Sequence, residues 1–467
     1  MRKKSIRFAA SLLIAASAAA LTASAQGTTD KNTKMNSITT TPKLQPLPIE
    51  QFTLKNGLRV VMSKDDSIPV VSVAVYYDVG SRNEKQGRTG FAHLFEHMMF
   101  QGSENVPKAG HFQFIEKNGG TMNGTTSTER TNYFETLPAN QLPLALWLES
   151  DRMRSLKVTK ENLDNQREAV KEEKRLRYDN QPYGQVFVAI SEMTYKNFAN
   201  AHSTIGSMDD LDAATVDDVS EFFRIYYAPN NAVLTIVGSF DPKEARTLVE
   251  KYFGTIPSQP KPAPIEVAEP AEVAVRQKTM EDPHAPFPAF LVGFKAPPRK
   301  SDEFAALELA GKLLYEGESS RLYQKLVKGN ESVVQLFGFT DERRGPSSVL
   351  IGAIPKPGND VKKIRQVMFD EIKQMATAGP TADEMEKLRN GLINDEVRGR
   401  QSSMFRAQRL AEAALYDGDP ALVNAELERF LKITPEQIKA AVGKYLNTEN
   451  RAELDVVPAA QKKTDEE

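Results

Sequence analysis

The sequence predicts an α+β fold made of two similar domains, each an antiparallel sheet with helices packed on it. Three observations predict it. A helix-turn-strand pattern that opens "TVDDVSEFFRIYYAPNN" at Thr215 returns as "TPEQIKAAVGKYLNTEN" at Thr434, an offset of 219. A second pair, "TKENLDNQREAV" from Thr159 and "TADEMEKLRNGL" from Thr381, repeats at an offset of 222. Two matches at nearly one offset argue for an internal duplication, against the plainer explanation that Thr-capped helices resemble one another. Between the repeats, "IPSQPKPAPIEVAEP" carries Pro257, Pro260, Pro262, Pro264 and Pro270. Proline lacks the N–H and locks φ, so this stretch reads as an extended, semi-rigid linker over 256–273.

The elements follow in order. Arg2, Lys3, Lys4 and Arg7 precede the apolar run "FAASLLIAASAAALT", and Ala23-Ser24-Ala25 closes it. This is the pattern of a secretory signal peptide over 1–25, and the run is shorter than the ~20 apolar residues of a membrane span. Its removal near Ala25 leaves 56 basic against 62 acidic residues, a net charge of −6. The expected location is the periplasm or the cell exterior, with no membrane span in the mature chain and no basic excess for a nucleic-acid partner. Residues 26–48 are polar and aperiodic and read as a disordered leader. The first domain is expected over 49–255. Asn56-Gly57 between alternating runs signals a hairpin, and "PVVSVAVYYDVGS" reads as a strand buried on both faces. Helices are expected after Gly90, over "HFQFIEKNG", and over about 140–153 and 159–179, with extended structure in "TMNGTTSTERTNYFETLP". The second domain is expected over 274–458 and a polar tail over 459–467. There is no cysteine, so any transition metal must rest on His, Asp and Glu.

The chain holds five histidines, and two of them flank a glutamate in "GFAHLFEHMMF". On a helix, positions i and i+4 share a face, so His93 and His97 can bind one zinc. Glu96 lies beside that face without ligating, placed to act as general base. The pattern H-x-x-E-H is the inverted form of the zinc-binding H-E-x-x-H. Catalytic zinc needs a third protein ligand. His111 heads an amphipathic helix and suits packing or a cap, while His202 and His284 lie in loop-like sequence and are expected to be solvated. In "NLDNQREAVKEEKRLRY", Leu163, Gln166, Val170 and Glu173 form one stripe with spacings of 3, 4 and 3. A carboxylate on that apolar stripe is costly unless paired or metal-bound. Glu172 and Glu168 fall off the stripe, so Glu173 is the expected ligand. The competing reading is a plain helix salt bridge.

With these motifs the chain resembles the pitrilysin/insulysin family of zinc peptidases, the inverzincins. It is most similar to the short bacterial members akin to the mitochondrial processing peptidase β subunit. "GFAHLFEHMMFQGS" is similar to the family's H-x-x-E-H helix, "QREAVKEEKR" to its R-x-x-V-x-x-E helix, and "YAPNNAVLTIVGSFDP" to its domain-ending strand. The resemblance covers about 47–458. It implies His93, His97 and Glu173 as ligands of one Zn2+ per chain. It also implies a clamshell chamber, of which this chain forms half, closed by a second copy or by a homologous, inactive subunit. "GGTMNGTTSTERTNYFETLP" resembles the family's edge strand beside the metal, which makes Asn123 and Thr126 candidate substrate-binding residues. The chain departs from the family at Gln166, where larger members carry a second glutamate. Arg321 and Tyr323 stand too close together to match the family's Arg-Tyr pair. Trp147 reads as a packing residue.

The expected function is a secreted or periplasmic zinc metalloendopeptidase that hydrolyses peptides or unfolded segments with Glu96 as base. The alternative is a non-catalytic subunit or binding protein of the same fold that holds a partner chain or peptide. An intact H-x-x-E-H with Glu173 speaks against it. A metal-dependent hydrolase of non-peptide substrates is a third option.

Overall fold

A computed structural model of the chain describes residues 44–271 and 273–459. The expected signal peptide, most of the expected leader and residues 460–467 lie outside the described residues.

The first sheet contains β1 (Glu50–Thr53), β2 (Arg59–Lys64), β3 (Val70–Tyr77), β4 (Thr121–Thr126), β5 (Thr131–Pro138) and β6 (Ala232–Gly238), in the order β1-β2-β6-β3-β5-β4. The second contains β7 (Val275–Asp282), β8 (Ala289–Ala296), β9 (Val333–Asp341), β10 (Ser347–Pro355) and β11 (Arg451–Pro458), in the order β7-β11-β8-β10-β9. Without β1, the two orders are the same. In each half the last strand inserts between the first two. It therefore runs parallel to one neighbour, β2 beside β6 and β7 beside β11, while the remaining pairs are antiparallel.

Helices α1 (Phe91–Met98), α2 (Gly110–Lys117), α3 (Leu142–Arg154), α4 (Lys160–Lys174), α5 (Val186–Thr194), α6 (Phe198–Ala201), α7 (Met208–Asp212), α8 (Val216–Tyr226) and α9 (Pro242–Phe253) precede the linker. Helices α10 (Asp302–Leu314), α11 (Val361–Ala378), α12 (Ala382–Arg400), α13 (Ser403–Glu412), α14 (Val423–Leu431) and α15 (Pro435–Tyr445) follow it. The repeated threonines start corresponding helices. Thr159 caps α4 and Thr381 caps α12, and Thr215 and Thr434 close capping boxes on α8 and α15. A capping hydroxyl satisfies an N–H that has no partner inside the helix, which is why these threonines mark the starts.

The apolar run of β3, broken only by Ser72, has a two-sided cause. Val71, Val73, Val75 and Tyr77 join the core beneath α1 and α3, while Ala74 and Tyr76 face Ala407, Leu410 and Ala411 of α13. Successive strand side chains point to opposite faces, so a strand covered on both is apolar at nearly every step, and the buried Ser72 is satisfied by the Thr136 and Ser403 hydroxyls at 2.8 Å. The second sheet mirrors this. Phe290, Val292 and Phe294 of β8 enter the core with α10 and α11, and Leu291 faces Ile190 of α5. Each half thus lends one helix to cover the other's sheet.

The Asn56-Gly57 turn forms between β1 and β2, with Gly57 at φ +88°. A side chain there would also strike Asn230, whose Cβ lies 2.6 Å from the position of an added Cβ. Among the described residues from 257 to 274 the proline-rich stretch carries no helix or strand. It is pinned at 266–268: Asn197 Nδ2 donates to the carbonyls of Glu266 and Ala268, and Asn200 Nδ2 to that of Val267. The expected leader ends too late. Leu47 is buried against α13 and α14, and its backbone exchanges two hydrogen bonds with the Asn424 side chain, at 2.7 and 3.1 Å. Its polar surroundings in the sequence hide a partner 377 residues away.

Candidate metal centre

Helix α1 is buried on nearly every side; His93 and His97 are its only residues that are not. Leu94, Phe95 and Met98 anchor it in the core, with Phe95 packed on Tyr227 at 4.1 Å between ring centroids. This fixes the two imidazoles on the open side, one turn apart, with ring centroids 4.8 Å from each other. Helix α4 lies alongside. Leu163 and Val170 are buried on its inner face, and Arg167 ties it to α7 and the loop after it by donating to the carbonyls of Leu211 and Ala214 at 2.9 and 2.6 Å. In that register Glu173 turns toward α1 and Glu172 toward solvent. Glu173 Oε2 lies 3.3 Å from His97 Nε2 and 3.7 Å from His93 Nε2. One ligand atom from each of His93, His97 and Glu173 falls within 4.8 Å of the others, the group among the described residues able to hold a metal ion.

The electrostatics suit the donor set. Burial, with His97 alongside, pushes the His93 imidazole down to about 4, so its lone pair is free at neutral pH. Burial also works against ionisation of Glu173. The hydrogen bond from His97 and the neighbouring positive charge, that of Arg177 included, outweigh it and hold the carboxyl below its ordinary value. Arg177 reaches Glu173 Oε1 at 2.9 Å. Two imidazole nitrogens and one carboxylate with an open side are the ligands a catalytic zinc takes. His93 Nδ1 is buried without an acceptor among the described residues.

Glu96 is buried beside this cluster without belonging to it. Burial raises its carboxyl above the ordinary range, opposed by a 2.6 Å hydrogen bond from Thr126 Oγ1 to Oε2. Thr126 ends β4, which pairs with β5 on one side and forms the open edge of the first sheet. Asn123, also on β4, is exposed, and its Oδ1 accepts the N–H of Gly124. The two candidates for substrate contact therefore part company: Asn123 lies on the open edge, and Thr126 is turned to Glu96. Gln166 is buried on α4 and donates to Asn165 at 2.8 Å.

The remaining expectations sort as follows. His111 is buried against Leu148, and burial pushes it down to about 3. His284 is exposed. Trp147 packs edge-on to Phe114 at 5.8 Å. Arg321 binds Glu384 of α12 at 2.6 and 2.7 Å, a structural tie. His202 corrects the expectation of a solvated residue. It is stacked on Phe198 and bonded to Glu84, 118 residues earlier in the chain, a pairing that loop-like sequence does not reveal.

No helix among the described residues is long and apolar enough to cross a membrane. Residues 59–207, which contain the whole His-Glu cluster, match the family model described as insulinase (peptidase family M16). Residues 213–392 match the model described as peptidase M16 inactive domain. Zinc protease PqqE of Helicobacter pylori is 29% identical over 401 residues, covering 85% of this chain and 90% of that protein. The mitochondrial-processing peptidase subunit beta of Saccharomyces cerevisiae is 27% identical over 215 residues, 45% of this chain and 46% of that one. Among solved structures, a protease from Helicobacter pylori superposes with a TM-score of 0.85 at 26% identity, covering 89% of this chain and 100% of that chain. The first half of the periplasmic protease PqqL from Escherichia coli shares the fold, with a TM-score of 0.71 at 19% identity over 88% of this chain and 93% of that one. With both domain models matched in order across its two halves, the chain belongs to the M16 peptidase family.

Proposed function

We propose that this chain is an exported zinc metalloendopeptidase that hydrolyses peptides or unfolded segments. The observation that carries this reading is the convergence of His93, His97 and Glu173 within 4.8 Å, with the Glu96 carboxyl beside them. In this reading the three residues hold one zinc ion. Such an ion supplies Lewis acidity, which polarises a scissile carbonyl and acidifies a water. Glu96 takes the proton from the attacking water and passes it to the leaving amine. Its raised proton affinity suits both steps, and Thr126 holds Oε2 while Oε1 carries no hydrogen bond among the described residues. The open edge of β4 receives the substrate as an added strand, a mode that reads backbone more than side chain and places Asn123 beside the bound segment. Export to the periplasm or beyond rests on the pattern of residues 1–25, and the named relatives include a periplasmic protease. A second copy, or a homologous subunit, completes the chamber.

A second reading, a binding subunit without activity, draws on the match of residues 213–392 to an inactive domain. That match contains none of the His-Glu cluster, which lies wholly within 59–207, so it leaves the proposed chemistry of the first half intact. Hydrolysis of a quenched peptide library by the purified chain, lost on adding a zinc chelator, is the expected outcome. Intact peptides with ester substrates cleaved would reassign the substrate class, and no turnover of either would favour the binding subunit.

A further inference from the structure

Helix α1 begins without a cap of its own. Gly90, at φ +83°, offers no side chain, and the first N–H groups of a helix need an acceptor from elsewhere. Glu84 supplies it: Oε2 accepts from Gly90 N at 2.9 Å and Oε1 from Ala92 N at 2.8 Å. The Glu84 side chain is completely buried. An ionised carboxylate there is costly unless countered by charge, and the counter group is His202, whose Nε2 lies 3.0 Å from Oε2. The other ring nitrogen, Nδ1, meets the Phe198 carbonyl at 2.6 Å. A carbonyl can only accept, so Nδ1 carries a proton, and Nε2 and Oε2 share a second one. Gly206, four residues after His202, presses on Gly90. A Cβ added to Gly206 would lie 2.5 Å from the backbone of Gly90. The segment bearing His202 is therefore packed against the start of α1.

We propose that Glu84 and His202 form a positioning pair that holds the start of α1, and through it the face carrying His93, Glu96 and His97. The hold fails when the proton shared between Nε2 and Oε2 is lost. The inference rests on the zinc-site reading above. Loss of that proton leaves a buried carboxylate facing an imidazole lone pair, with Gly90 and Ala92 as its remaining donors. Burial opposes the charge on His202, but the hydrogen bond and charge of Glu84 prevail and raise it above the ordinary histidine value. The sign follows: the pair is intact below that raised value and is lost as pH rises through it. The surrounding charges are engaged elsewhere. Asp210 holds Thr89, Arg88 faces Asp218 at 3.5 Å, Glu269 accepts from Asn197 N and Asn200 Nδ2, and Arg343 donates to the Asn200 carbonyl.

The test needs no turnover. Excess chelator strips zinc from the loaded full-length chain, and the stripping rate is followed from about pH 6 to about pH 9, the range around a histidine titration. The wild-type rate should rise about 10-fold as His202 titrates, as removal of groups behind metal ligands does. His202→Gln and Glu84→Gln should be fast and flat across the range. Imidazole 15N spectra of the wild type should show both nitrogens of His202 protonated at about pH 7. Where peptides are cleaved, His202→Gln should lower kcat and leave KM unchanged. Coinciding wild-type and His202→Gln stripping profiles would overturn the proposal, as would a His202 protonated on one nitrogen with Glu84 ionised. If either variant fails to fold, the wild-type spectra still decide. Zinc binding with no peptide cleavage would refute the peptidase reading and leave this proposal standing.

Discussion

The two halves share strand order, strand direction and helix starts, yet among the described residues one bears a candidate metal centre and the other does not. The difference lies in two helices. Helix α1 presents His93, Glu96 and His97, whereas α10, which follows the second strand of its sheet's repeat, is lined by buried Phe304, Leu307, Ala310 and Leu314. Glu173 stands fourteen residues after the cap Thr159, and Asp395 stands fourteen after the cap Thr381. In the first half that carboxylate meets two imidazoles. In the second it reaches Lys312 of α10 at 3.7 Å and stays 63% exposed. The fold repeats as scaffold, with helices, caps and sheets serving packing in both halves, while the proposed chemistry rests on a few side chains on one helix pair.

Substitutions in the two halves test this asymmetry. The largest effect is expected from Glu173→Gln, which removes a proposed ligand from the cluster. Zinc affinity should fall by more than about 100-fold, beyond the loss from residues behind the ligands, while Glu172→Gln leaves it unchanged. Metal analysis of both proteins checks this, and equal losses would mean the helix register is misread. Next comes the packing that both halves share. Leu410→Ala on α13 opens the layer over the first sheet and should cost about 2–5 kcal/mol in denaturant unfolding. A cost below about 1 kcal/mol would show that the borrowed helix is not integral to the fold. Thr126→Val leaves Oε2 of Glu96 without its donor. It should lower kcat about 10-fold, the scale of one hydrogen bond to a charged group, with Thr126→Ser recovering most of the loss. The smallest effect belongs to the second half. Asp395→Asn removes an exposed ion pair and should change stability by less than about 0.5 kcal/mol and zinc content not at all. A loss of zinc there would undo the asymmetry.

Much of this was legible in the sequence because it is local. The spacing of His93 and His97, the stripe that singles out Glu173 over Glu172, and the Thr caps are properties of single helices, and the structure places each as its spacing requires. The duplication was legible for the same reason. Features set by distant pairing were not. The parallel seam in each sheet depends on where the last strand inserts. The exchange of α5 and α13 between halves depends on packing across the linker. The turn of Thr126 toward Glu96, the pinning of Leu47 by Asn424 and the pairing of His202 with Glu84 join residues 30, 377 and 118 positions apart. Loop-like sequence carries no periodicity from which such partners could be read.

The central claim is that the first half alone carries the chemistry, with ligands and base as separate groups. It is tested most directly by measuring zinc content and peptide turnover together in Glu96→Gln. The account predicts zinc near the wild-type content, because His93, His97 and Glu173 remain, and turnover lowered by about 10²- to 10⁴-fold, the share of a general base. Turnover near the wild-type rate with full zinc would contradict it, because the proton would then be handled by a group other than Glu96.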